Sequence, residues 1–160
     1  MKKTDWIKVL LVVSLFGNLA FFQNHERASR KQDIRYELLN SNIYRDLAQL
    51  EETIQYQIDN NWKNEPLVTQ KLDDAIDSIL LSHVMEEDKN KEDILWELHE
   101  YLYKFKYSEE TFDVILNDEQ RFNFIYLGDK LRSSGWNYGV GDDLKWSVFK
   151  SKVKELVAET

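Results

Sequence analysis

Three features of the chain predict an all-α fold, with a single N-terminal transmembrane helix followed by a compact bundle of about five helices. One proline and five glycines punctuate 160 residues, too few breakers for a chain of many strands and turns. Apolar residues recur three and four apart in successive segments of helix length. The third feature is the run Trp6 to Phe22, WIKVLLVVSLFGNLAFF, which decides what solvent the N-terminus meets.

Seventeen apolar-rich residues make a helix of about 25 Å, slightly short of a hydrocarbon core of roughly 30 Å. Lys8 lies one turn inside the run and can extend its ammonium back to the headgroups. Trp6 at one end and Phe21 and Phe22 at the other suit the two interfaces. Lys2 and Lys3 before the apolar core also resemble a signal peptide, but cleavage requires small residues at −3 and −1. A cut after Ala20 would put Asn18 at −3, and one after Ala28 would put Glu26 there. The reading is therefore an uncleaved anchor, embedded in the lipid bilayer through Trp6 to Phe22.

Orientation rests on weaker signals. Lys2, Lys3 and Lys8 precede or enter the span, while Arg27, Arg30, Lys31 and Arg35 follow it, so the positive-inside count does not by itself place the C-terminus outside. A five-residue head is nonetheless the usual cytoplasmic stub of a signal anchor, and the absence of cysteine fits many bacterial envelope proteins. The expected location is the cell membrane, with the C-terminal domain extracytoplasmic. Arg27, Arg30 and Lys31 then join Trp6, Lys8, Phe21 and Phe22 at the membrane interface.

The expected organisation is stub and anchor over 1–24, a basic juxtamembrane hinge over 25–32, and one acidic helical domain over 33–160, long enough to bury a real core. The first helix of the domain is expected from near Asp33 to about Asn60. Within it Tyr36, Ile43, Leu47, Leu50 and Ile54 fit a heptad seam with Asn40 at a seam position. The signal covers about three heptads, so one face of a bundle helix is favoured over a homodimer.

Asn60 to Asn64 reads as a turn, with Pro66 in the first turn of the next helix, where a missing N–H costs nothing. That helix carries Val68, Leu72, Ala75, Ile76, Ile79, Leu80 and Val84 as its expected core face. After the polar run Glu86 to Glu92, a third helix follows with Ile94, Leu95, Leu98, Leu102 and Phe105. A short helix capped by Ser108 is expected through Thr111, Val114 and Ile115. Asn117 with Gln120 then forms a capping box for a helix bearing Phe122, Ile125, Tyr126 and Leu131, in which Gly128 permits close packing. The last helix is expected from about Asp142 to Ala158, with Trp146, Phe149, Val153 and Leu156 inward.

No motif in the sequence carries chemistry. Asp88 to Glu92 resembles the start of a calcium loop, but Asp93 occupies the slot of the turn glycine and His99 that of the bidentate glutamate. His99-Glu100 begins a zinc motif whose second histidine is Tyr103. Asp73 and Asp77 stand one turn apart on a solvated face. Gly139 and Gly141 lack the third glycine and preceding strand of a nucleotide-binding turn. No cofactor is expected.

Charge is uneven: net +4 over residues 1–31, −14 over 32–120 and +2 over 121–160. An acidic body disfavours nucleic acid as a partner, because phosphate binding needs the opposite sign. The sequence thus reads as an envelope interaction or accessory module without catalytic activity, binding an unknown protein. Its expected contact is the loop Ser133 to Gly141, which gathers three of the five glycines around Trp136 and Tyr138; the competing reading, favoured because large aromatics bury more often than they protrude, has both rings tucked down as a lid over the end of the bundle. The alternative is a small-ligand receptor or enzyme with a pocket between helices near the same two rings.

Overall fold

The computed structural model describes residues 39–107, 114–137 and 145–158, together with Ser14. The chain divides into two units, Met1–Leu38 and Leu39–Thr160. In the first, Ser14 is helical and exposed. The rest of the expected anchor lies outside the described residues, as do the hinge and the interface residues Trp6, Lys8, Phe21, Phe22, Arg27, Arg30 and Lys31. Among the described residues, no helix is long and apolar enough to cross a membrane.

The second unit is all-helical among its described residues, with five helices. These are α1 (residues 39–59), α2 (Glu65–Met85), α3 (Lys89–Tyr103), α4 (Asp118–Ser133) and α5 (Trp146–Val157). Successive contacts give an alternating order. Lys71 reaches Gln49 and Ser78 reaches Asp46, so α2 runs antiparallel to α1. His83 meets Trp96 while Asp73 meets Lys106, so α3 turns back along α2. Arg132 pairs with Glu51, and Gly128 sits on Ile54, so α4 is again antiparallel to α1. Phe149 lies against Tyr44, and Lys154 pairs with Glu97, which sets α5 beside both α1 and α3.

Helix α1 is the hub of this arrangement. Its buried positions are Asn40, Ile43, Tyr44, Asp46, Leu47, Ala48, Leu50, Glu51, Ile54 and Gln57. At 100° per residue they cover more than half of the helix circumference. The expected seam residues Ile43, Leu47, Leu50 and Ile54 are therefore spent inside one chain, packed in the same core as residues of all four other helices. Each such aliphatic contributes roughly 2 kcal/mol by leaving water.

Helix α1 ends in a Schellman motif. Trp62 N–H donates to the Gln57 carbonyl at 2.8 Å and Asn61 N–H to the Ile58 carbonyl at 3.3 Å, with Asn61 at φ 52°, a conformation that asparagine tolerates better than most residues. Trp62, at φ 56°, lies in a region unfavourable for a bulky side chain. Its ring packs on the core and meets Phe124 at 6.5 Å. Pro66 falls in the first turn of α2, as its chemistry requires.

The start of α2 is fastened to the start of α4 by Glu65, which is 6% exposed. One carboxylate oxygen accepts from the Leu116 N–H at 2.8 Å, and the other from Nε and Nη2 of Arg121, both at 2.7 Å. The Asn117/Gln120 capping box forms as the sequence predicts, with both reciprocal bonds at 2.9 Å. Gly128 answers a packing need: a Cβ there would lie 2.8 Å from Ile54 Cγ2.

Several expectations change. Leu80 and Val84 are 39% and 73% exposed, so the core face of α2 is narrower than the apolar pattern implies. Phe122 and Tyr126 likewise point outward, at 67% and 43%, while Phe124, Leu127 and Leu131 fill the core. Of the short helix expected from Ser108, residues 108–113 lie outside the described residues, and 114–117 are not helical; the Leu116 N–H there goes to Glu65. The last helix begins at Trp146 with Lys145 as N-cap; Asp142 and Asp143 lie outside the described residues.

Two substitutions test this packing. Leu50→Lys places a charge in the core and should abolish the cooperative thermal transition; a folded monomer would show that Leu50 is not enclosed. Arg121→Ala leaves the Glu65 carboxylate buried with a single N–H partner. Chemical denaturation should show a loss of about 3 kcal/mol.

Candidate functional site

The end of α4 explains the glycine and the tryptophan that made Ser133 to Gly141 conspicuous. Gly135, at φ 77°, takes the left-handed position after the helix. Its N–H donates to Arg132 at 3.1 Å, and Trp136 N–H donates to Leu131 at 2.9 Å. This is a second Schellman motif, and its residue after the glycine characteristically folds back onto the helix. Trp136 accordingly points inward.

Its ring is 0% exposed and sits 4.8 Å from Tyr44 and 5.7 Å, edge to face, from Phe149. Trp146 stacks on Phe149 at 5.2 Å. Above this cluster, Lys152 Nζ donates to the Gly135 carbonyl at 2.7 Å and lies 4.9 Å from the Tyr44 ring centre and 5.4 Å from that of Trp136. A cation held over two aromatic faces and bonded to the carbonyl of the turn just past α4 locks the end of the bundle.

Of the two readings of Trp136, the structure has the lid and not the outward partner contact: the indole closes the core against Tyr44 and Phe149. Tyr138 lies outside the described residues. Trp136 Nε1 is buried without a hydrogen-bond partner, so packing area alone offsets its desolvation.

An open groove of about 540 Å³ runs between α1 and α2, lined by Arg45, Asp46, Gln49, Lys71, Asp74, Asp77 and Ser78. Its groups largely satisfy one another. Asp46 accepts from Arg45 Nε at 2.9 Å and from Ser78, while Lys71 donates to Gln49 at 3.1 Å and to Asp74 at 2.8 Å. Among the described residues, no three His, Asp or Glu side chains are placed to hold a metal ion.

The surface feature that remains lies on the α2–α3 hairpin. Trp96, His99 and Tyr103 form a ladder along α3: Trp96 and His99 stack at 5.0 Å, and His99 and Tyr103 at 5.7 Å. His83 of α2 joins it, 5.2 Å from Trp96, and its Nε2 is 3.5 Å from Glu92. Beside the ladder, Leu80 and Val84 stand outward on α2. Trp96 is 45% exposed and Tyr103 46%, although core space is occupied by smaller Leu95, Leu98 and Leu102. None of these residues was singled out as a contact from the sequence. The signal available was an apolar pattern on α2 wider than one helix face, and a tryptophan on α3 opposite the leucines.

Compared with known proteins, the chain matches no family model, no curated protein and no solved structure.

The buried role of Trp136 separates two variants. Trp136→Ala opens a cavity at the end of the bundle and should cost about 3–5 kcal/mol in denaturant unfolding. Trp136→Phe keeps part of the packing and removes the unpartnered N–H, so its loss should be clearly smaller. Equal losses would show that the indole nitrogen matters.

Proposed function

We propose that the chain is a membrane-tethered interaction module, anchored through Trp6 to Phe22, whose acidic helical domain is displayed outside the cell and meets a protein partner on the α2–α3 hairpin. The observation that carries this reading is the outward face formed by Leu80, Val84, Trp96 and Tyr103. Single exposed apolar residues are ordinary, but adjacent ones on two neighbouring helices are characteristic of contact surfaces. Tryptophan and tyrosine are also the side chains that most often anchor such contacts.

The layout of the core supports a binding role over catalysis. The buried carboxylates Asp46, Glu51 and Glu65 each have a hydrogen-bonding partner within the fold. Carboxylates used in this way fix helix register. The rings of Trp96 and Tyr103, by contrast, keep nearly half of their surface outward.

The test uses the full chain in its own membranes. It should remain in the membrane pellet after carbonate washing, and a photo-crosslinking residue at position 84 should yield a protein adduct. The same probe at exposed Glu52, on α1, should yield none. Release by carbonate would remove the anchor, and adducts from position 52 with none from position 84 would move the contact elsewhere.

A further inference from the structure

From the charge around the exposed face we infer the chemistry of its occupant: the α2–α3 hairpin receives an amphipathic helix whose apolar stripe is flanked by arginine or lysine. This inference rests on the hairpin being the contact surface.

Residues 65–103 carry eleven carboxylates and three lysines. Of these lysines, Lys89 is engaged with Glu92 and Asp93 at 3.0 Å each, and Lys71 with Asp74 at 2.8 Å. Arg121, Lys106 and Lys154 from outside the hairpin answer Glu65, Asp73 and Glu97, and the remaining carboxylates still leave the hairpin net negative. Two of the carboxylates lie on the apolar stripes themselves. Asp77, which also lines the edge of the α1–α2 groove, precedes Leu80 and Val84 by three and seven residues, the spacing of one helix face, and Glu100 stands between Trp96 and Tyr103 in the same way. Both are exposed. A second copy of this chain would bring the same negative charge to the face, so self-association is opposed where a cationic partner is favoured.

The geometry selects a helix. From Trp96 to Tyr103 the ladder spans about 10 Å at 1.5 Å per residue, the distance between positions i and i+7 of a docked helix, and the groove between two antiparallel helices accepts a third by ridge-into-groove packing. An extended peptide needs an open backbone edge to pair with. Both helices of the hairpin bond their backbone internally, so that mode has nothing to use here. Exposed indole and phenol faces add a further preference for guanidinium, which stacks on aromatic rings.

The experiment uses the full chain in discs of uncharged phosphatidylcholine, so that lipid does not attract the probe. The probe is a fluorescent eighteen-residue helical peptide with a leucine stripe flanked by arginines; its twin carries glutamate in place of arginine. The arginine peptide should bind at least tenfold more tightly than the twin. Trp96→Ala should weaken it about tenfold, and Asp77→Asn with Glu100→Gln about fivefold, with each variant keeping the thermal transition of the parent. Equal affinity for both peptides would overturn the charge assignment and leave an apolar docking face. Binding of the arginine peptide that is indifferent to Trp96→Ala and to the carboxylate changes would overturn it as generic attraction to an acidic domain. If neither peptide binds, the partner chemistry fails, and the crosslink from position 84 then decides separately whether the face is a contact at all. Concentration-dependent mass that Trp96→Ala abolishes would assign the face to a second copy instead.

Discussion

The structure depends on the burial of α1 on three sides. A helix enclosed that far cannot turn its polar positions to water, so the carboxylates of Asp46 and Glu51 and the amide of Gln57 enter the interior with its leucines. An uncompensated charge there would cost several kcal/mol. Each of these groups finds an acceptor-side match in a different neighbour, the Gln57 Nε2 alone staying unpartnered among them. Asp46 accepts from Ser78 on α2, Glu51 from Arg132 on α4, and the Gln57 oxygen accepts from the Asn64 N–H at the entry to α2. Apolar burial supplies the energy of assembly, but it is indifferent to a slide of one turn. The polar pairs are not, because a slide would strand them.

The same logic governs the ends of the bundle. Helices α1 and α4 both stop with a residue in the left-handed region followed by a tryptophan, Asn61-Trp62 and Gly135-Trp136. In each, the reversed backbone satisfies two terminal carbonyls, and the indole packs on the core against other helices. Trp62 packs against Phe124, and Trp136 against Tyr44 and Phe149. The two largest side chains near the helix ends thus act as plugs. The Glu65–Arg121 pair holds the starts of α2 and α4 together.

That arrangement divides labour by position. Rings that follow a helix stop are drawn into the core by backbone geometry, whereas rings in the middle of α3 are free to face either way. Trp96 faces out because the inner side of α3, packed against α2 and α5, is taken by its own Leu95, Leu98 and Leu102. An aromatic face on the outer helices and a closed aromatic plug beneath α5 differ in function for this reason, although both are built of the same residue types.

The sequence alone determined the helical class, the turn at Asn60 to Asn64, the position of Pro66, the capping box at Asn117 and Gln120, and the core stripe of α3. Each depends on neighbours a few residues away: breaker scarcity, hydrogen-bonding side chains beside a helix end, or apolar spacing of three and four. The close approach at Gly128 was also legible, since a glycine inside a helix calls for a nearby backbone or branched side chain. Only the tertiary structure decided which apolar residues go in. Leu80, Val84, Phe122 and Tyr126 sit at core-like spacing yet remain outside, because a helix has room for neighbours on a limited arc and the number of helices surrounding it sets that arc. It likewise decided that Glu65 and Arg121, 56 residues apart, share a buried bond, and that Trp136 closes the core: contacts between distant segments are properties of packing, which local spacing does not encode.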